Sequence, residues 1–95
     1  MVEQGDVLKI EGINPPVVVV SKNLINKTGL VIVCPVLIGK DLPTLAVPLD
    51  HGSFVACDTI KQVDLSARRY SKKSRVSASK LILMIDMVQA MFDYV

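Results

Sequence analysis

Asp58, set between Cys57 and Thr59, is the side chain best suited to chemistry in this sequence. A carboxylate at a strand end can move a proton as a general acid or base, or it can cap a turn by accepting from backbone N–H groups, and both readings stay open. Just downstream, between Ile60 and Lys80, lie Lys61, Arg68, Arg69, Lys72, Lys73, Arg75 and Lys80 with Asp64 as the single acid. Seven cations against one carboxylate make this segment strongly basic in a chain whose net charge is only +2. It reads either as a solvated loop or as a patch facing phosphates or an acidic peptide, because cations that neutralise phosphates release counterions and gain salt-dependent affinity.

Other catalytic arrangements are missing. His51 stands alone in a loop beside Asp50 and Gly52 and reads as a turn residue. Cys34 and Cys57 sit inside apolar runs with no His nearby, which suits buried, reduced thiols. The sequence has no Cys-x-x-Cys pair, no HExxH helix and no glycine-rich phosphate loop, so neither a metal nor a cofactor is expected. Apolar residues make up 51% of the chain but aromatic ones only 4%, with no Trp, so Val, Leu, Ile and Met must build the core and platforms for stacking bases are scarce. No apolar run approaches the roughly 18 to 20 residues of a membrane span, and the N-terminus lacks a signal peptide's pattern, so a cytoplasmic protein without a membrane partner is expected.

The elements that must position Asp58 are mostly short strands. Residues 6–11 alternate as a half-buried strand, and Glu11–Pro16 forms a turn whose two prolines cannot donate to a ladder. Val17–Val20 presents β-branched residues to both faces, which predicts a central strand or one covered on both sides. A helical turn fits Asn23–Asn26, with Gly29 ending the polar tip. Leu30–Val36 is a buried strand with Pro35 near its end, Thr44–Leu49 and Ser53–Cys57 flank a hairpin turn at Asp50-His51-Gly52, and Thr59–Leu65 closes the series. Six short strands at this spacing predict a bent antiparallel sheet or partly open barrel in one domain, residues 1–95.

One long helix follows, over Ser79–Phe92, capped by Ser77 or Ser79. Leu81, Ile85, Val88 and Phe92 form a core stripe, while Ile82, Leu83, Met84, Met87 and Met91 extend the apolar surface almost all round. A second buried face is inferred, across a homodimer axis with Met84, Met87 and Met91 in the interface, the other reading being a helix enveloped by its own sheet.

Taken in order, Gly5-Asp6, Val17–Ser21, Asn26-Lys27-Thr28-Gly29, Val31–Pro35, Val55–Thr59 and Asp64–Arg68 resemble the MazF/PemK toxin family over nearly the whole chain. The resemblance implies a dimeric SH3-like barrel with a C-terminal helix, acting as the toxin of a toxin–antitoxin pair with an acidic antitoxin as partner. It further implies a metal-independent endoribonuclease on single-stranded mRNA, in which the neighbouring 2′-hydroxyl attacks and the protein supplies an acid/base group and a cation for the developing charge. On this basis Asp58 is the catalytic candidate, and Lys9, Lys22, Asn26, Lys27, Arg68, Arg69, Lys72, Lys73 and Arg75 are the RNA- or antitoxin-binding candidates.

Family members carry Arg-Pro before the valine-rich strand, where this chain has Pro15-Pro16, and a Thr after the Val-x-Pro strand, where it has Leu37. An Arg that some members place two residues before the Asp aligns with Ala56. Neither Pro nor Leu can donate a proton or hold an oxyanion from its side chain, so weak or absent ribonuclease activity is expected unless Lys9, Lys22 or the basic segment supplies the cation. Two alternatives are a non-catalytic relative that binds an acidic antitoxin or a toxin subunit, and a gyrase inhibitor of the related CcdB kind, for which the ending Asp93-Tyr94-Val95 lacks the CcdB-like Trp-Gly-Ile.

Overall fold

The computed structural model describes residues 1–39, 42 and 44–92. Seven strands and one long helix follow in chain order: β1 (Asp6–Ile10), β2 (Val17–Val19), a single helical turn α1 (Asn23–Asn26), β3 (Leu30–Ile38), β4 (Ala46–Pro48), β5 (Ser53–Ala56), β6 (Lys61–Asp64), a 3-10 turn (Leu65–Ala67), β7 (Tyr70–Arg75) and α2 (Ala78–Ala90). All pairings are antiparallel, in the order β4-β5-β3-β2-β1-β7, with β6 also on β3. The sheet is therefore a partly open barrel with the helix at its C-terminal end.

Nine-residue β3 organises the sheet, because three strands pair with it. Val33–Pro35 faces β2 in the register Val19↔Val33 and Val17↔Pro35. Leu30–Val33 takes β6, ending at Val33↔Lys61, and Val36–Ile38 takes β5, beginning at Val36↔Val55. Opposite Cys34 and Pro35, the chain between Val55 and Lys61 thus loops away as a corner. Pro35 was expected near the strand's end; it lies inside the strand instead, tolerated because its missing donor falls where this ladder is already interrupted.

The valines of β2 divide as their alternation requires. Val17 and Val19 join Leu8, Ile10, Val31, Val33, Val63 and Leu65 in one cluster. Val18 and Val20 join Cys34, Val47, Val55, Cys57 and Met84 in the other. Helix α2 covers only this second face, through fully buried Met84 and half-buried Leu81, Ile85, Met87 and Val88. Burying a methionine contributes about 1.5–3 kcal/mol relative to leaving it in water. Ser77 caps the helix by accepting from the Lys80 N–H at 3.3 Å.

Three expectations are corrected. Met84, assigned to a dimer interface, is wholly inside the chain's own core, since β-strands on that side reach its position on the helix. Phe92, assigned to the core stripe, lies beyond the helix and is 70% exposed. The basic segment, read as a loop or a patch, contains a seventh strand: β7 pairs with β1 along its length although all six of its residues are exposed.

Candidate nucleic-acid groove

The face not covered by α2 carries an open groove of about 410 Å³. Its floor is Val17, Val33, Pro35 and Leu37; one wall is the β1–β2 turn, Gly12 to Pro15, and the other is Thr59, Ile60 and Lys61 from the corner. Pro15 and Leu37, far apart in sequence, meet here because β2 and β3 are neighbours and the β1–β2 turn folds over them. Lys61 arrives through its pairing with Val33. The groove's polar side chains are Asn14, Thr59 and Lys61, and no carboxylate among the described residues lies within 4 Å of the Lys61 ammonium.

Asp58 is not in the lining; it is exposed, one residue before the lining Thr59, whose hydroxyl donates to its Oδ1 at 3.3 Å. Beneath it, Cys34 and Cys57 are fully buried free thiols. The neighbouring Cys57 sulfur, burial and the nearby Asp58 carboxylate push the Cys34 thiol up, while the same contact draws the Cys57 thiol down against its burial. Both thiols are fully buried and out of reach of a solute, so the accessible polar groups at the corner are Asp58, Thr59 and Lys61.

The β1–β2 wall is braced. Lys9 Nζ donates to the carbonyls of Ile13, at 2.9 Å, and Asn14. Arg68 Nη1 donates to the Glu11 carbonyl at 3.3 Å. Gly12 has a φ of +85°, a backbone conformation that calls for glycine at this turn.

Several binding candidates serve the fold instead of a ligand. Asn26 is buried: its amide donates to the Ser21 carbonyl at 3.0 Å and accepts from the Ser21 hydroxyl, which in turn accepts from the Ile32 N–H at 2.9 Å. This network joins the end of β2, α1 and β3, and Gly29 closes the tip at a φ of +88°. Lys72 Nζ lies 3.1 Å from the buried Asp6 carboxylate. Arg75 lies 2.6 Å from Glu3, which together with Asp6 and against its partial desolvation holds its guanidinium even more firmly charged than usual. Lys22, Lys27, Arg69 and Lys73 are exposed, with no carboxylate among the described residues within 4 Å.

The candidates thus separate into three places: Lys22 and Lys27 beside the tip, the β7 cations along one sheet edge, and Asp58 at the groove. Thr59 was not singled out from the sequence as a site residue, and Lys61 entered only as part of the basic segment. The available signal was the polar break Asp58–Lys61 between two strands that share β3. On α2, Ile82 and Leu83 are 62% and 48% exposed, while Met87, and Met91 just past the helix end, are half-buried. Of the C-terminal anchors that a CcdB-like action would need, Asp93, Tyr94 and Val95 lie outside the described residues. No helix among the described residues is long and apolar enough to cross a membrane.

The model of a known family, the PemK-like, MazF-like toxins of type II toxin–antitoxin systems, matches residues 5–92. No curated protein matches the chain. Solved structures do. The MazE–MazF complex of Deinococcus radiodurans superposes with a TM-score of 0.84 at 21% identity over 96% of this chain and 95% of that one. An endoribonuclease in complex with its cognate antitoxin, from a mycobacterial species, gives 0.74 at 15% identity over 96% and 97%. The toxin MazF-mt6 of Mycobacterium tuberculosis gives 0.72 at 17% identity over 93% and 99%.

Proposed function

Because this chain belongs to the PemK-like, MazF-like toxins of type II toxin–antitoxin systems, we propose that its groove holds single-stranded RNA and cleaves it weakly or not at all. The observation that carries the reading is the meeting of Pro15, Leu37 and Lys61 in one groove, with Asp58 next in sequence to the lining Thr59. Pro15 and Leu37, which stand where the family resemblance places an Arg and a Thr, both line this groove, and that supports reading it as the RNA site with altered side chains. An apolar floor suits a base or a sugar, and the Lys61 ammonium suits a phosphate.

Cleavage by the 2′-hydroxyl needs a base for that proton, an acid for the leaving 5′-oxygen, and charge stabilisation between them. Asp58 can serve as one proton carrier and Lys61 as the cation. Pro15 and Leu37 contribute neither donor nor charge, which leaves the second proton carrier without an occupant. Incubation with a long single-stranded RNA in excess EDTA tests this. Retained binding with slow or no cutting is expected, and efficient cutting abolished by Asp58→Ala would overturn the weakened chemistry.

The relatives solved with MazE or with a cognate antitoxin support an antitoxin partner for this chain. Two copies of the chain form the toxin, with the exposed Ile82 and Leu83 face of α2 covered between them. Leu83→Glu then gives a monomer in light scattering, and a variant that remains a dimer moves the interface elsewhere.

A further inference from the structure

The β7 edge carries a consequence of its own. Strand β7 ends the sheet, so one side of Tyr70–Arg75 pairs with β1 and the other faces no strand among the described residues. The Arg69 carbonyl accepts from the Glu11 N–H at 2.8 Å, which fixes the alternation: Ser71 bonds toward β1, and Tyr70 and Lys72 turn their backbone N–H and C=O outward. Lys73 is the extra residue of a bulge, since Val7 pairs with Ser74 and Leu8 with Lys72. Four exposed cations line this short open edge: Lys72 and Arg75 are already paired with Asp6 and Glu3, while Arg69 and Lys73 have no carboxylate within 4 Å among the described residues.

From this combination we propose that β7 is a docking edge for an extended acidic peptide, which adds as an eighth strand along Tyr70–Lys72. The proposal names the chemistry of the antitoxin contact and rests on the toxin–antitoxin reading. Open edges invite any strand, and lysines are a usual defence against that. Here the defence is selective. A second copy adding β7 to β7 sets cations opposite their own images, and a basic or apolar strand leaves the ammonium groups unmatched or poorly hydrated. A strand with Asp or Glu at alternate positions gains both the backbone bonds and the opposite charges. Single-stranded RNA matches the charge but not the backbone, and among residues 69–75 Tyr70 alone offers an aromatic ring for stacking.

The test uses the full chain and an acetylated decapeptide of alternating Glu and Val. Expected results are slowed hydrogen exchange at the Tyr70 and Lys72 amides, and affinity that falls about tenfold or more between roughly 0.05 and 0.5 M salt. A version N-methylated at alternate residues, with identical charge, binds about tenfold or more weakly because it cannot form the ladder. Lys73→Glu, at a side chain without an acidic partner among the described residues, weakens the parent peptide. If both peptides bind equally, or binding leaves Tyr70 and Lys72 unprotected, the acidic-partner reading stands and strand addition falls. An RNA of equal charge that protects the same amides also overturns strand addition, and no peptide binding at low salt overturns both.

Discussion

The Asn26–Gly29 tip and the start of the Asp58–Lys61 corner, Asp58-Thr59, both belong to the motifs that resemble the toxin family, yet the structure uses tip and corner in opposite ways. At the tip, the Asn26 side chain is buried and its amide is bound on both sides by Ser21. At the corner, Asp58, Thr59 and Lys61 are exposed, and Lys61 reaches into a groove with no acidic partner nearby among the described residues. A motif whose polar groups bind one another specifies a fold. A motif whose polar groups face solvent beside a concave surface is free to meet a ligand. The distinction cannot be drawn from residue types, since Asn and Lys serve equally in either role.

The largest effect that could break this contrast belongs to the tip. Asn26→Ala strands the Ser21 hydroxyl and carbonyl, and should cost about 2–3 kcal/mol of stability in denaturant unfolding, while the folded protein keeps its RNA affinity. RNA affinity that falls without loss of stability would place Asn26 among the contacts instead. At the corner the pattern reverses. Lys61→Gln should alter stability by no more than about 0.5 kcal/mol. It should weaken RNA binding several-fold on every sequence and lower the salt slope by about one.

The smallest effect is one of pH, next to β6. Hydrogen bonds from the Ser66 hydroxyl, at 2.6 Å, and the Ser66 N–H, at 3.0 Å, hold the Asp64 carboxyl below its ordinary value. A depressed folded value means that the contribution is present above the unfolded midpoint near about pH 3.9 and is lost as pH falls through the folded one. Asp64 should therefore titrate below an ordinary aspartate by NMR, with the 3-10 turn of Leu65–Ala67 loosening in the same range. An ordinary midpoint would remove these bonds from the account.

What was legible in the sequence follows from where burial leaves a trace. Val17–Val20 announced a strand covered on both faces because each valine had a buried partner to meet, and the helix was readable from Ser77 and its apolar period. Strand β7 was not, since Ser, Lys, Lys, Ser and Arg show no apolar alternation; it is a strand because β1 offers it an edge, not because it buries anything. The groove was half legible. Pro15 and Leu37 stood out against the family pattern, but their meeting with Lys61 depends on the β3 register, which no local pattern encodes. Met84 was misplaced for a related reason: a helix that is apolar nearly all round does not reveal which stripe its own sheet will take.

Whether RNA lies in this groove is measured most directly by titrating isotope-labelled protein with a short single-stranded RNA and following backbone amides. Shifts concentrated at Gly12 to Asn14, Leu37 and Thr59 to Lys61, with Asn26–Gly29 and Tyr70–Lys72 little moved, are the predicted result. Shifts confined to the tip or to the β7 edge, with the groove amides unchanged, would contradict it.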